Sequence, residues 1–453
     1  MRQKKNGIFF QLADGLSKFA QRFMPEAYVF ALLLTAVVFA AGIVIARQTP
    51  LQMVTYFSQS MWSLLEFGMQ TCLMIVLSTV AVGTRVISQG LKRLAAVPKT
   101  PVQAIVFGSF LMLLLFSVNS TFALVFGAIY AKEVAKGVKR VHYPLLVAVC
   151  YCGYITWQGG FGGTTLLLMA TEGSWASNLL GYAIPLEDMI FSPLNLTLMA
   201  VLILTIPVLA RLMTPNRQED VISADLSLIT EEEPKKFATP KDATPAQKLE
   251  YSRIPTLLFG IFIFVYIIGR FIQSGIGALD LNMLNFILMA LSLVFVDNAL
   301  DFLSRISAAA KGTAGVMVQF PIYAGIMGMM SSSNLGMMMS GLFIRIASPH
   351  TLPNIIHLSS ALLNIFVPSG GGQWVIEAPI YLPVAQNLGT PVTSVVIAAA
   401  YGDALTNLIQ PFWALPLLTI TRLSMRDIMG YCAVICIYGL LVTQLILFLF
   451  HIG

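Results

Sequence analysis

Charge is what this sequence has least of. Asp, Glu, Lys and Arg make up 11% of its 453 residues, against roughly 25% in an ordinary soluble domain. With 57% hydrophobic residues and a mean hydropathy of +0.80, the chain has too little polar surface to enclose a water-soluble core. It reads as an integral membrane protein. The apolar runs do not alternate with polar residues every second position, which excludes an outer-membrane barrel. Histidine is scarcer still, at four. No His-Glu-x-x-His zinc motif and no Gly-x-x-x-x-Gly-Lys phosphate loop occurs. Tyr401-Gly402-Asp403 supplies one mid-span aspartate, where an intramembrane aspartyl protease needs two sharing a proton. These absences argue against an enzyme and against any cofactor. The five cysteines (Cys72, Cys150, Cys152, Cys432, Cys436) sit in apolar stretches without His or carboxylate company, as buried free thiols do. The net charge of +6 comes from basic residues at the ends of apolar runs, so it encodes topology and no nucleic-acid surface.

What is present is a series of membrane-length runs. Spans are expected near 27–46, 62–82, 143–171, 190–211, 254–272, 281–297, 312–330, 391–421 and 427–450. Before them, Phe9, Leu12, Leu16, Phe19 and Phe23 share one helical face, with Lys18 and Arg22 among the polar residues, as in an interfacial helix. Two segments, 102–135 and 352–388, are too short for two full crossings and each breaks in the middle. Arg85, Lys92, Arg93 and Lys99 precede the first, and Lys132, Lys136, Lys139 and Arg140 follow it. Both of its ends are therefore cytoplasmic, and the segment is a re-entrant hairpin. Threaded this way, all but three of the 27 Lys and Arg residues (Arg47, Arg270 and Arg345) face the cytoplasm. The second hairpin then opens from the outer side.

The long polar stretch 214–252, with Glu231, Glu232, Glu233, Lys235, Lys236, Pro234, Pro240 and Pro245, reads as a solvated linker between two halves. Matching residues recur across it: Gln70 and Gln319 are 249 apart, Asn119 and Asn364 245, and Tyr151/Tyr401 and Thr156/Thr406 both 250. The expected fold is all-α and polytopic, an inverted repeat of about nine full spans, two opposed re-entrant hairpins and two broken helices. Its parts are a cytoplasmic N-terminus with an interfacial helix (1–26), a first membrane repeat (27–212), the linker (213–253), a connecting span (254–280) and a second repeat (281–453).

Breaks inside a membrane expose backbone groups that lipid cannot satisfy, so they persist where protein, ions or substrate do so. Four are expected: Asn119-Ser120-Thr121, Trp157 to Thr164, Pro368-Ser369-Gly370-Gly371-Gly372, and Thr406 to Pro411. Glycine lets backbone approach a ligand, and the helix starting near Gln373 points its positive end there. Short polar side chains supply oxygens to a small cation. No Lys or Arg falls at any break, which suits a single small carboxylate better than a multiply charged acid.

At Ile306-Ser307-Ala308-Ala309-Ala310, Val318-Gln319-Phe320-Pro321, Val367-Pro368-Ser369-Gly370-Gly371-Gly372, Gln410-Pro411-Phe412-Trp413-Ala414-Leu415-Pro416 and Arg426-Asp427-Ile428-Met429-Gly430-Tyr431 the chain resembles the short-chain fatty acid transporter family, the acetoacetate and butyrate permease type. The resemblance covers nearly the whole length. It implies uptake of short monocarboxylates across the bacterial inner membrane. Its wider superfamily, the ion transporters, resembles dicarboxylate carriers that work as homodimers by an elevator motion, so a homodimer is an implied partner beside substrate and lipid.

The resulting expectation is a cation-coupled symporter for short-chain fatty acids, driven by Na+ or H+. Substrate-binding candidates are Asn119, Ser120, Thr121, Gln158, Gly159, Gly160, Gln319, Asn364, Ser369, Gly370, Gly371, Gly372, Gln373, Asn407 and Gln410. Asn119, Thr121, Asn364, Asp403 and Glu377 are candidates for the coupling ion, intramembrane carboxylates being functional by default; no site other than one for Na+ is expected for a metal. Rival readings are an amino-acid or dicarboxylate exchanger using Asp403 and Glu377 as counter-charges, and a channel. Glu66 reads as rim, His357 as a hydrogen-bonded structural residue, and the methionines from Met327 to Met339 as gap-fillers. Gln70 and Gln319 read either as substrate donors or as glue between helices, and Trp157, Trp374 and Trp413 either as walls for an alkyl tail or as packing.

Overall fold

The computed structural model describes residues 6–451 apart from 24, 230–236, 238, 241, 279 and 280. Among these residues every regular element is helical. The first half runs α1 (Ile8–Phe23), α2 (Ala27–Val44), α3 (Pro50–Ser60), α4 (Leu65–Gly83), α5 (Arg85–Ala95), α6 (Pro101–Val118), α7 (Ser120–Gly137), α8 (Tyr143–Tyr151), α9 (Tyr154–Trp157), α10 (Thr164–Ala170), α11 (Trp175–Leu180), α12 (Leu186–Ile190) and α13 (Pro193–Leu212). Two short helices, α14 (Leu226–Ile229) and α15 (Pro245–Glu250), fall in the linker, and α16 (Ile254–Ser274) follows it. The second half runs α17 (Leu281–Phe295), α18 (Ala299–Ala310), α19 (Ala314–Ser332), α20 (Leu335–Ile344), α21 (Leu352–Asn364), α22 (Gly370–Leu388), α23 (Val392–Thr406), α24 (Leu415–Thr421) and α25 (Met425–Phe450).

Among the described residues six helical stretches are long and apolar enough to cross a membrane. Polar residues at their starts set where they begin. Thr49 and Thr100 each cap a helix that opens with proline, and each exchanges hydrogen bonds with a glutamine three residues on, Gln52 and Gln103. Ser424 and Asp427 do the same for α25.

Four short helices that the sequence reading left in loops follow α2, α4, α17 and α19, namely α3, α5, α18 and α20. Helix α3 packs closely on α19: Gly325 and Gly328 of α19 lie so near Phe57 and Ser60 of α3 that an added Cβ would sit 2.4 Å and 2.0 Å from their side chains. On the other half, Arg305 of α18 donates to Asp301 at 2.8 Å and to the Gly83 carbonyl at the end of α4 at 3.0 Å.

Helix α1 meets α2 at 77°. Its small face is buried on α25, where the Ala13 carbonyl lies 2.1 Å from where a Cβ on Gly430 would be. Phe19 and Phe23 stay exposed, as an interfacial helix requires.

The linker is not free along its whole length. Glu231, Glu232, Glu233, Pro234, Lys235 and Lys236 lie outside the described residues. Its first turn, however, is strapped to the start of α8: the Ile222 N–H donates to His142 Nδ1 at 3.0 Å, and the Tyr143 N–H to the Ile222 carbonyl at 2.8 Å. His142 Nε2 then donates to the Tyr431 hydroxyl on α25 at 2.6 Å. With Nδ1 accepting, the ring is neutral, and burial pushes its pKa down to about 4.

Candidate functional site

Three of the four interruptions of helical backbone come together, those of the second hairpin and the two broken helices, while the turn of the first hairpin packs on the first broken helix. Hairpin α6/α7 turns at Asn119, whose side chain accepts the Phe122 N–H at 2.9 Å and so begins α7. Hairpin α21/α22 turns at residues 365–369, where Ser369 accepts the Gly372 N–H at 3.3 Å and begins α22. The first broken helix is α8, α9, the loop Gln158 to Gly163, then α10. The second is α23, a 3-10 turn at Asn407–Ile409, then α24.

Each hairpin lies against the broken helix of its own half, and the same two devices make both contacts. Thr156 Oγ1 donates to the Leu113 carbonyl of α6, and Thr406 Oγ1 to the Ala361 carbonyl of α21, each at 2.8 Å. Gly153 admits Phe116 and the Met112 carbonyl, a built Cβ being 2.2 Å and 2.8 Å from them; Gly402 admits the His357 carbonyl at 2.5 Å. The tip of the first hairpin continues this packing, with the Phe161 N–H donating to the Ser117 carbonyl at 2.8 Å.

The second tip reaches across to the first half. A Cβ on Gly370 would stand 2.3 Å from both Gln158 Nε2 and Thr164 Oγ1, and 3.2 Å from Asp403 Oδ2. Gln158 Nε2 in turn donates to Asp403 Oδ2 at 2.5 Å and to Thr164 Oγ1 at 3.2 Å. One turn further, Asn364 Nδ2 donates to Thr406 Oγ1 at 3.0 Å and to Asn407 Oδ1 at 2.9 Å, and Gln410 Nε2 donates to the same Asn407 oxygen at 3.0 Å. The Asn407 carbonyl accepts from Tyr151 of the first half at 2.6 Å.

Thr164 is half-buried and the other side chains are buried; Gln158, Asn364 and Asn407 are fully so. Yet Asn364 Oδ1, Asn407 Nδ2, Asp403 Oδ1 and Gln373 Oε1 are buried without a hydrogen-bond partner. A buried polar atom left unpaired costs about 1–3 kcal/mol, so four in one region are poorly explained by packing alone. They suit a ligand with both acceptor and donor character. Around them the chain carries no fixed cation, for no Lys or Arg occurs between Arg140 and Arg211 or between Arg345 and Arg422.

The other candidates are distributed as follows. Ser120 is buried at the first tip, Asn119 backs onto Gly162, and the side chain of Thr121 lies outside those described. Gly159 and Gly160 pack the first loop: the Gly159 carbonyl accepts from Asn195 at 2.8 Å, and a Cβ on Gly160 would meet the Ser117 carbonyl at 1.9 Å. Gln373 Nε2 donates to the Ser360 carbonyl at 2.9 Å and to Glu377 Oε1 at 3.0 Å. Glu377 also accepts from the Tyr381 hydroxyl at 3.2 Å, and Gln373 and Tyr381, on α22 with it, reach the other arm at the Ser360 carbonyl and the Ser359 hydroxyl. Gly371 lies at Leu168 and Gly372 at Met327. Gln319 is buried on α19 with Oε1 unpartnered, next to Phe320, which stacks on Phe412 at 4.6 Å.

Gln70 is glue: it donates to Asn282 of α17 at 2.8 Å, and its carbonyl accepts from Asn285 at 2.9 Å. Trp157 and Trp413 pack edge to face at 5.8 Å, whereas Trp374 lies apart, 6.5 Å from Tyr381. His357 Nδ1 is paired with Gln444 at 2.8 Å. Among the described residues no group of three His, Cys, Asp or Glu is placed to hold a metal ion. Two participants were missed from sequence. Thr164 shares the Gln158 amide, and Asn195 joins the Gly159 carbonyl to the Tyr401 hydroxyl, which it accepts at 2.9 Å. An amide in the otherwise apolar stretch after Pro193 was the available signal.

The fold and site define a multi-pass membrane protein with broken helices around a buried polar cluster. The family model for short chain fatty acid transporters matches residues 8–450. Two relatives carry the name "Putative short-chain fatty acid transporter". The one from Escherichia coli (strain K12) is 41% identical over 417 residues, which are 92% of this chain and 94% of the relative. The one from Haemophilus influenzae (strain ATCC 51907 / DSM 11121 / KW20 / Rd) is 36% identical over 429 residues, 93% and 96% of the two chains. A crystal structure of the Alcanivorax borkumensis YdaH transporter, titled as having an unusual topology, aligns over 94% of this chain and 98% of its own, with 14% identity and a TM-score of 0.39. The chain belongs to the short chain fatty acid transporter family.

Proposed function

We propose that the protein takes up short-chain monocarboxylates such as butyrate and acetoacetate across the bacterial inner membrane by cation-coupled symport. The observation that carries this reading is the set of unpaired polar atoms on Asn364, Asn407, Asp403 and Gln373, gathered where the Gly370 tip meets both broken helices. Asn407 Nδ2 and the first N–H groups of α22 are donors for a carboxylate. Asn364 Oδ1 and Asp403 Oδ1 are acceptors for the accompanying cation. Without Lys or Arg nearby, a monoanion is neutralised by the cation that travels with it, and that coupling is what makes the transport a symport.

The recurrence of helix order and the matched contacts of Thr156 and Thr406, and of Gly153 and Gly402, support an inverted repeat with two re-entrant hairpins entering from opposite leaflets. In this arrangement the N-terminus, the linker and both ends of α6/α7 are cytoplasmic. The test is uptake of labelled butyrate into proteoliposomes with sodium and proton gradients imposed independently. Accumulation driven by one gradient and outcompeted by acetoacetate supports the proposal. Uptake indifferent to both gradients, or flux that does not saturate, refutes it.

A further inference from the structure

A groove lies away from this site, between α6 and α13. It has a volume of about 780 Å³ and is walled by Val102, Val106, Phe107, Phe110, Leu204 and Val208, a size within the roughly 300–1,000 Å³ usual for ligand pockets. Pro207 helps to form it: with no N–H to give to the Ile203 carbonyl, it interrupts the ladder of α13 at the groove wall. Several of its side chains stay exposed within the protein, Leu204 at 66% and Val208 at 57%. In a bilayer such a cleft is filled by acyl chains, since unfilled apolar surface forfeits its dispersion contacts.

One end of the groove is basic. Lys99 and Arg211 both line it there, at the ends of α13 and of the turn before α6. Lys99 Nζ gives one proton to the Ala96 carbonyl at 2.8 Å and keeps two. The Arg211 guanidinium has no hydrogen-bond or ion-pair partner among the described residues. Gln103 lies beside them, its Oε1 held by the N–H groups of Lys99 and Thr100 at 2.8 Å and 3.2 Å. Among the described residues no acidic side chain lines the groove.

We infer that this groove binds an anionic phospholipid of the leaflet on the basic side, with its phosphate between Lys99 and Arg211 and an acyl chain along Phe107, Phe110 and Leu204. The lipid then packs on the arm α6, whose Leu113 and Ser117 carbonyls hold the first broken helix, so headgroup charge reaches the hairpin that frames the site. The inference requires only that α6 and α13 face lipid; it does not depend on the substrate.

The full-length protein, delipidated in neutral detergent, is examined by native mass spectrometry after adding phosphatidylglycerol or phosphatidylcholine with the same acyl chains, or inorganic phosphate. Each basic residue near a membrane surface favours an anionic headgroup about fivefold, so retention of phosphatidylglycerol is expected to be up to roughly 30-fold higher. Lys99→Gln/Arg211→Gln abolishes that preference, whereas Lys92→Gln/Lys311→Gln, with equal loss of charge, keeps it. Val208→Trp fills the groove and lowers retention of both lipids. Equal retention of the two lipids, or a preference that survives Lys99→Gln/Arg211→Gln, overturns the inference. So does inorganic phosphate displacing the lipid at equal concentration, which marks a free-anion site.

Discussion

Gln158, in the loop of the first broken helix, donates its amide proton to Asp403 of the second at 2.5 Å, which links the two halves beside the Gly370 tip. Only one carboxylate oxygen is used. The other, Oδ1, is buried and unpaired.

Asp403→Asn separates these two oxygens. If the amide oxygen replaces Oδ2, the Gln158 contact survives and the melting temperature changes by only a few degrees, but the charge that attracts a cation is gone. Gradient-driven butyrate accumulation is expected to fall at least about tenfold. Wild-type accumulation in this variant would remove Asp403 from the coupling site.

Asn364→Ala removes the donor to both Thr406 and Asn407. Leaving buried acceptors short of a partner costs about 1–3 kcal/mol, so thermal unfolding is lowered measurably. Uptake is lost at temperatures where the variant is still folded, because the Asn364 oxygen proposed to face the cation is gone and Asn407 keeps only Gln410 on its side-chain oxygen.

The glycines rank by what a methyl group would meet. Gly371→Ala touches only Leu168 at 3.5 Å and is expected to leave uptake near wild type. Gly370→Ala strikes the ends of Gln158 and Thr164, which can move, so folding persists while uptake falls. Gly160→Ala strikes the Ser117 carbonyl, which is backbone, and is expected to reduce the yield of folded protein. Uptake per folded molecule, with fluorescence-detected size exclusion for folding, checks the order.

The His142 strap predicts a pH dependence. The native imidazole titrates near 4 and the unfolded one near 6.5, so the unfolded state binds more protons in between. Stability is intact above about pH 6.5 and is lost as pH falls toward 4. Thermal melts across that range should show the decline, and His142→Asn should flatten it. Equal slopes in both proteins would mean that other groups carry the effect.

Much of this was legible in the chain because membrane helices announce themselves through length and apolarity. The segment 352–388 is filled by α21 and α22, with the expected break between them, and the segment 102–135 by α6 and α7, which run from Pro101 to Gly137. Asn364, Asn407, Gln158 and Asp403 were singled out as polar residues at breaks, and the fold gathers them. The short helices α3, α5, α18 and α20 were not legible, since each is only 10–12 residues long, below the length that signals a span. Nor was the orientation of Glu377, which turns along its own helix to Gln373 and Tyr381, one turn to either side; side-chain direction on a helix depends on packing that no local pattern encodes. Asn195 stands out only as an amide in an apolar stretch and Thr164 as the end of an expected break; their partners, Gly159, Tyr401 and Gln158, are set by the tertiary fold.

Single-cysteine labelling in intact cells with a membrane-impermeant thiol reagent tests the threading most directly, the five native cysteines being buried. Lys99→Cys and Lys139→Cys bracket the first hairpin, and His350→Cys and Asn387→Cys bracket the second; all four positions are exposed. The account predicts that the reagent reaches His350→Cys and Asn387→Cys from outside, and Lys99→Cys and Lys139→Cys only after the membrane is opened. Labelling of Lys99→Cys and Lys139→Cys from opposite sides would make α6 and α7 a crossing, and contradict it.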